Sequence, residues 1–446
     1  MSKNKIQLAD HFTYGRIIRF VFPTIIMMIT SSIYSVVDGF FVSNYVGKIP
    51  FAAINFVMPL LFIMGAVGYM AGSGGSAIVA FTLGEGKKEL AEEYFTLIAL
   101  FTATAGLVLA FLGLILIRPA LGLMGGHGPI LTDSVVYGRI VLITLPCYML
   151  SNMFHSFFIT AQKPRLGLYM SVFSGTLNVL LDVVFVIGFR WALAGVAFAT
   201  AISQSAGVLL ELIYFGRKND SLLRFRRPRF SGQIILRTCT NGSSEMVNTI
   251  AASVISALYN YQLMRYAGAD GVAAYGIIIY AGYLFSSCYY GYSAGCAPVI
   301  SFHNGAGDTD ELKNLFHISV RVIGSFSLAM ILLVRVFGSP VTGIFAGYDQ
   351  DLFRLTLHAF YIYSLSFLPG GYAVFISSLF TALENGKISA LISFLKTFVF
   401  ESSSILILPS VFGLDGIWWA IIAAETAAFL LAVCFLARKR ERYQYY

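Results

Sequence analysis

Charged residues are scarce in this chain: they make up 12% of its 446 residues, about half the roughly 25% typical of soluble domains. Cysteine is also rare, and its five copies include no CxxC pair, which argues against a disulfide framework and a zinc site. The six histidines form no HExxH motif, and the glycine-rich stretch 72–86 lacks the Walker order GxxxxGKS/T. The sequence therefore disfavours a soluble enzyme and a nucleotide-driven motor, and no cofactor is expected.

The chain instead has long apolar runs, and 57% of its residues are hydrophobic. A membrane-spanning helix needs roughly 20 consecutive apolar residues, and reading from turn to turn yields twelve such runs. The predicted spans are 17–46, 51–79, 95–117, 132–158, 166–189 and 192–215, followed by 234–264, 272–300, 316–337, 352–382, 388–408 and 416–437. The sequence thus predicts an all-α membrane protein with twelve transmembrane helices in the lipid bilayer.

Basic residues divide the chain and predict its orientation. The polar segment 216–232 carries six of them and separates an N-terminal six-helix lobe, 1–215, from a C-terminal one, 233–446. With an even number of spans, the N-terminus, this linker and the basic tail lie on one side, which the positive-inside rule makes the cytoplasm. The net charge of +8 is distributed over short segments between apolar runs, so nucleic acid is not expected as a partner.

An internal repeat relates the two predicted lobes. Residues of the first half recur in the second at one constant offset of 221 positions. The matching pairs include Tyr45/Tyr266, Gly47/Gly268, Gly74/Gly295, Phe81/Phe302, Gly84/Gly305, Gly86/Gly307, Thr160/Thr381 and Gly195/Gly416. Because each half has an even number of spans, the lobes should be related by a pseudo-two-fold axis along the membrane normal, with a cavity between them. This layout is typical of alternating-access transporters.

Two motifs and the repeat identify a resemblance to a known family. The stretch GFFVSNYVG at 39–47, and GSGGS at 72–76 leading into LGEGKK at 83–88, resemble the multidrug and toxic compound extrusion (MATE) family, in its bacterial MepA-like branch. The resemblance covers nearly the whole chain. It implies a two-lobed exporter of small organic cations in a bacterial plasma membrane, acting as a monomer and driven by exchange for protons or sodium ions.

A lipid-linked saccharide flippase of the same superfamily is the alternative that the sequence leaves open. Such a flippase would share the twelve-helix layout, but its cavity should carry cationic residues for a pyrophosphate. The charges within the apolar runs here are mostly acidic, which favours the exporter.

Two aspartates within the first half carry the functional hypothesis. A charged group at membrane depth costs at least about 2.5–3.5 kcal/mol, so it is kept mainly where it binds or relays something. Asp38 and Asp182 each lie about 7–8 residues below the outer end of their spans, or ~10–12 Å at about 1.5 Å per residue. Polar residues at similar depth complete a predicted pocket, whose members are Tyr34, Asp38, Tyr137, Asn178, Asp182 and Thr200.

The resemblance implies the role of this pocket. In the family, the matching positions form a cation-coupling network, and Pro23 matches a proline at which the first helix bends. We expect that protonation of Asp38 and Asp182, or Na⁺ binding to them, switches the first helix between two shapes. The offset of 221 places Tyr259 at the position of Asp38 and Ser403 at that of Asp182, so coupling should belong to the first lobe.

The second half has its own charges within apolar runs. Glu245 and Lys396 lie at similar depth near the cytoplasmic end, which predicts an ion pair between them. The resemblance also implies that an acid on the seventh helix, here Glu245, can bind a cation or a substrate. Tyr283 and Met153 are candidate substrate contacts, because aromatic faces attract organic cations and methionine adapts to varied shapes.

Overall fold

The computed structural model describes residues 6–347 and 349–443, with only the backbone of 34–40, 43, 44, 48, 269 and 344. The regular secondary structure of these residues is helical throughout. The helices are α1 Tyr14–Phe41, α2 Lys48–Gly84, α3 Lys88–Leu123, α4 Gly128–Ile143 with Leu145–Thr160, α5 Pro164–Asp182, α6 Ala192–Gly216, α7 232–267, α8 269–306, α9 Thr309–Ala346, α10 Gln350–Ser364 with Phe367–Ala382, α11 Gly386–Phe394 with Ser402–Phe412, and α12 Leu414–Tyr443. Wider π-helical turns occupy Val42–Val46, Val183–Gly188 and Leu395–Glu401.

These twelve helices correspond to the twelve apolar runs. Among the described residues, nine helices are individually long and apolar enough to cross a membrane, and two bent pairs raise the number to eleven. The twelfth helix, α7, is more polar because it carries Thr238, Asn241 and Ser244, which are nevertheless buried against other helices. The predicted number and type of elements are therefore confirmed.

Two helices that the sequence predicts as single runs are bent. α4 bends by 57° at Thr144, and α10 bends by 45° around Leu365. Pro146 and Pro369 lie at the start of the second segments, and proline lacks the N–H that would continue the helical hydrogen bonding. Thr144 and Leu365 are 221 positions apart, so the bend belongs to the repeat.

Glycine conformation also follows the repeat. Gly47 and Gly268 have φ of 116° and 61°, and they separate α1 from α2 and α7 from α8. Gly86 and Gly307 have φ of 78° and 70° at the next turn of each half. Because positive φ is strained for other residues, these paired glycines set the same two helix breaks in both halves.

The two halves contact each other through equivalent residues of α2 and α8. A β-carbon at Gly84 would collide with the carbonyl oxygen of Phe302, and one at Gly305 would collide with the carbonyl oxygen of Phe81. Both members of this contact are 221 positions apart, so it is reciprocal, as a two-fold axis requires. Glycine permits this backbone approach between α2 and α8, at the end of the helices where the linker lies.

The segment before α1 also joins the halves at this end. Phe12 is fully buried, and its backbone N–H donates to Glu311 Oε1 at 2.9 Å. The other oxygen of Glu311 lies 2.5 Å from His11 Nδ1, and Asn314 Nδ2 donates to the Phe12 carbonyl at 2.7 Å. The first half is thereby fastened to α9 of the second. The division into domains at 216–232 stays a prediction.

Candidate functional site

Helices α5 and α6 carry three predicted pocket residues that are buried inside the first half. Asn178 and Asp182 are fully buried, and Thr200 is 8% exposed. The two α5 residues are four positions apart and so share one helix face, which packs against α6. Asn178 Nδ2 donates to Thr200 Oγ1 at 3.3 Å. The result is a polar group closed off from solvent within an apolar lobe.

The remaining predicted members come from α4 and α1. Tyr137 of α4 is 1% exposed and belongs to the apolar cluster that also contains Val186 and Val196. The side chains of Tyr34 and Asp38 lie outside the described part of the structure. Their backbone is helical, within α1, and α1 packs along α5.

Asp182 lies where the geometry of its helix changes. It is the last residue of the regular α5, and the π-helical turn Val183–Gly188 follows directly. Single π-helical turns within α-helices occur frequently at functional sites, because they interrupt the regular hydrogen-bond pattern. The sequence pattern contains no signal for this turn.

Pro23 is buried inside α1, which runs from Tyr14 to Phe41 as one helix in this conformation. Proline has no N–H, so the carbonyl of Arg19, four residues earlier, loses its usual helical donor. Such a position can act as a hinge at low cost. The bending role of Pro23 stays a prediction.

A second cluster of buried charges lies in the other half. Lys396 Nζ lies 2.7 Å from Glu425 Oε1, so the predicted ion pair of Lys396 with Glu245 was wrong. Counting residues from the helix end gives the height of a side chain but not the side of the helix on which it lies. Lys396 falls in the π-helical turn Leu395–Glu401 and reaches α12. Glu401, 8% exposed, also interacts electrostatically with Lys396.

Tyrosines surround this second cluster. Tyr259 is 3% exposed and stacks on Tyr275, with ring centroids 4.9 Å apart. Both rings interact electrostatically with Glu401. Among the described residues, the Tyr259 hydroxyl has no hydrogen-bond partner. Since Tyr259 is the repeat equivalent of Asp38, the second half holds a polar cluster at the corresponding place. Mapping the aspartates by the repeat missed it, because Glu401 corresponds to Leu180.

The three candidate substrate contacts have different environments. Glu245 is partly buried on α7 and interacts electrostatically with Tyr69 of α2 and Tyr290 of α8. It therefore lies between the two halves. Tyr283 of α8 is 56% exposed. Met153 is fully buried and accepts a hydrogen bond from Thr102 Oγ1 at 3.6 Å.

Met153 does not fit its predicted role in a substrate chamber. It packs inside the first half, in the cluster that contains Phe95, Phe154 and Phe157. Residue type alone indicated adaptability, but methionine is equally suited to filling gaps in a packed core, and α4 turns this side chain inward.

One further buried acid was not singled out from the sequence. Glu211 of α6 is 1% exposed, and its Oε1 lies 3.9 Å from Nε2 of His155 on α4. Its presence within the predicted span 192–215 was the available signal, by the same cost argument that singles out Asp182.

The described side chains offer few donors for a metal ion. In the part of the chain with described side chains, no group of three His, Cys, Asp or Glu residues converges. Asp182, with Asn178 and Thr200 beside it, offers oxygen atoms, which hard cations such as Na⁺ prefer over nitrogen or sulfur. The Na⁺ site predicted at Asp38 and Asp182 stays a prediction.

Known proteins match nearly the whole length of this chain. The family model MatE matches residues 23–184 and 246–403. Multidrug export protein MepA of Staphylococcus saprophyticus is 24% identical over 95% of this chain and 93% of its own length, and that of Staphylococcus haemolyticus is 22% identical over 96% and 94%. A crystal structure of MATE in complex with MaL6 superposes with a TM-score of 0.93 at 19% identity, covering 99% of this chain and 100% of that one.

A second solved structure shares the same arrangement. It is the outward-facing conformation of a multidrug resistance MATE family transporter of the MOP superfamily, with a TM-score of 0.92 and 19% identity over 100% of this chain and 99% of that one. At these identities, the likeness shows the fold. The predicted twelve-helix, two-lobed architecture is confirmed.

Proposed function

The chain belongs to the MatE family, and from this membership we propose that it is a secondary active exporter of organic cations, driven by antiport of protons or sodium ions. It is a multi-pass membrane transporter. The relatives named as multidrug export proteins support export of several different compounds. The basic linker and termini support a cytoplasmic position for that end of the molecule, in a bacterial plasma membrane.

One observation carries the coupling proposal: the complete burial of Asp182 beside Asn178 and Thr200. A carboxyl group in an apolar lobe is costly unless it exchanges or binds a cation. Such a group can take a proton on one oxygen, or it can ligate Na⁺ together with the amide and hydroxyl oxygens. Asp38 on the adjacent α1 supplies the second carboxyl group, and Pro23 allows α1 to respond.

The substrate proposal rests on the position of Glu245. This carboxyl group lies between the halves, within electrostatic reach of Tyr69 and Tyr290. A carboxylate with aromatic rings beside it attracts an organic cation through charge and through cation–π contact. The close packing of α2 against α8 at the linker end supports a conformation that is closed to the cytoplasm.

Efflux in inverted membrane vesicles tests the coupling. Ethidium uptake is followed under an imposed pH gradient, an imposed Na⁺ gradient, and neither. Asp182→Asn and Asp38→Asn should each abolish gradient-driven uptake, whereas Asp270→Asn, at an exposed position on α8, should retain it. Wild-type rates in both pocket variants, at equal protein amounts, would refute the coupling role.

The alternative as a saccharide flippase has less support. A pyrophosphate-carrying cargo needs cationic groups without partners, but the buried ammonium of Lys396 is paired with Glu425. Ethidium uptake that is equal with and without either gradient would favour the flippase over the exporter.

A further inference from the structure

A groove runs along the outer side of α1 at the linker end. Its cavity measures about 440 Å³ and is lined by Tyr14, Ile18, Arg19, Phe22 and Pro23 of α1 and by Arg165 of α5. The α1 positions recur at steps of three and four residues, so they lie on one face of the helix. At about 1.5 Å per residue they extend over roughly 13 Å.

The groove combines an apolar wall with two cationic side chains. Ile18 and Pro23 form the wall together with Phe22, which is 55% exposed. Arg19 and Arg165 are exposed at the entrance. In the described part of the chain, neither arginine forms an ion pair. The groove therefore carries two positive charges beside an apolar wall, and no carboxylate with a described side chain pairs with either of them.

A second basic cavity of the same face provides a contrast. It is lined by linker residues that include Arg224 and Arg226. There, Arg226 Nη2 lies 3.0 Å from Glu89 Oε2, and Arg224 Nε lies 3.4 Å from Glu92 Oε1. These arginines fasten the linker to α3, so their charge is already satisfied. Among the residues whose side chains the structure describes, the groove on α1 has no such compensating carboxylate.

We propose that this groove binds one anionic phospholipid of the membrane, with its phosphate between Arg19 and Arg165 and an acyl chain along Ile18 and Phe22. Both arginines lie within the first two turns of membrane-spanning helices, Tyr14–Ile33 and Pro164–Gly188. This is the level of the headgroups at the side where basic pockets between helices bind anionic lipids. Guanidinium groups match phosphate oxygens in charge and in bidentate geometry.

The bound lipid would act on the junction of the two halves. The hydroxyl of Tyr14, at the entrance, accepts a hydrogen bond of 2.6 Å from Arg321 Nη1 of α9 in the second half. Pro23, at the other end of the groove, removes one backbone hydrogen bond from α1. An occupied groove therefore holds the first turns of α1 against both α5 and α9. It stabilises the arrangement in which the linker end is closed.

Lipid titration of the purified full chain tests this site. The protein is titrated in detergent with phosphatidylglycerol or with phosphatidylcholine of the same acyl chains, and bound lipid is counted by native mass spectrometry. Phosphatidylglycerol should saturate one site that phosphatidylcholine does not fill. The double variant Arg19→Gln/Arg165→Gln should weaken this binding about 30-fold, since each basic residue near an anionic surface contributes about one kcal/mol.

Matched variants separate the site from general charge effects. Arg118→Gln/Arg190→Gln removes the same charge at the opposite end of the molecule and should bind phosphatidylglycerol like the parent. Arg19→Lys/Arg165→Lys, which keeps the charge, should retain most of the lipid preference. Ile18→Trp, which fills the apolar wall and keeps both arginines, should lower lipid occupancy.

Three results would overturn the proposal. The first is equal loss of lipid in both arginine-to-glutamine double variants. The second is binding of phosphatidylcholine as tight as that of phosphatidylglycerol. The third is full displacement of the lipid by an equal concentration of glycerol 1-phosphate, which would assign the site to a soluble phosphate compound. None of these measurements depends on transport, so the test is independent of the coupling mechanism.

Discussion

The reciprocal glycine contact between α2 and α8 predicts a large effect of one added methyl group. In Gly305→Ala, the new β-carbon would overlap the carbonyl oxygen of Phe81 and would lie only 2.8 Å from its carbonyl carbon. These are backbone atoms, which cannot rotate away, so the helices must separate at the linker end. Overpacking of this kind costs about 1–3 kcal/mol, which is a factor of about 5 to 150 in the population of the closed arrangement.

Distance measurements between the halves provide the assay. Spin labels are attached through Lys88→Cys on α3 and Asp310→Cys on α9, in a background without the five native cysteines, and distances are obtained by double electron–electron resonance. Gly305→Ala should shift the distribution toward longer distances. Gly84→Ala should act in the same way, because its β-carbon would overlap the carbonyl oxygen of Phe302.

A matched control separates helix separation from a general effect of alanine. Gly122 lies in α3, and a β-carbon added there would meet no described atom within 4 Å beyond its chain neighbours and the backbone of its own helix, so Gly122→Ala should leave the distances unchanged. If Gly305→Ala and Gly122→Ala give the same distribution, the glycine contact does not hold the linker end closed, and the reasoning fails.

Three further predictions concern charged contacts. Lys396→Met should lower the free energy of unfolding by about 3–5 kcal/mol, because it leaves Glu425 buried without its partner; thermal unfolding should show recovery in the double variant that also carries Glu425→Gln. Burial raises the pKa of Glu384, which lies between α10 and α11, above its ordinary 4.5. Arg237 opposes this shift, because its Nη2 lies 2.8 Å from Glu384 Oε2. The folded protein therefore holds this proton more tightly than the unfolded chain, and the resulting contribution to folding stability is fully present below pH 4.5 and is lost as pH rises through the raised pKa. Over this pH range the unfolding temperature of Glu384→Gln should fall less than that of the parent. Glu311→Ala should speed hydrogen exchange in the segment before α1, and unchanged exchange would contradict the fastening role.

The repeat shows how far sequence reasoning reached. The constant offset of 221 predicted two equivalent halves, and the structure repeats their glycine breaks, their bends and their contact across the axis. The bends themselves were not predicted, because a bend such as that at Thr144 does not interrupt the apolar run. Hydropathy therefore predicts the number of spans correctly even where a helix is bent. It does not predict the direction of each helical segment.

The polar clusters show the corresponding limit for the site. Asn178 and Thr200 were predicted to lie in one pocket, and the structure joins them by a hydrogen bond, because residues at similar depth on neighbouring helices need only face each other. Asp182 is buried on the same helix face as Asn178, and its place in a coupling pocket stays a prediction. Lys396 was assigned the wrong partner at a similar depth, and Met153 proved to be core. The depth of Lys396 was a matter of counting, and the role of Met153 was inferred from residue type. For both, the facing direction depended on how the helix was rotated.

The sequence by itself determined the membrane class, the twelve helices, the two-fold repeat and the height of each buried charge, because these depend on composition and on distance along a linear chain. The tertiary structure alone decided which charges pair, which side chains are enclosed and where the halves touch. Those features depend on the rotation of each helix about its axis, which π-helical turns and proline bends change, and on the packing of neighbours that lie far apart in the chain.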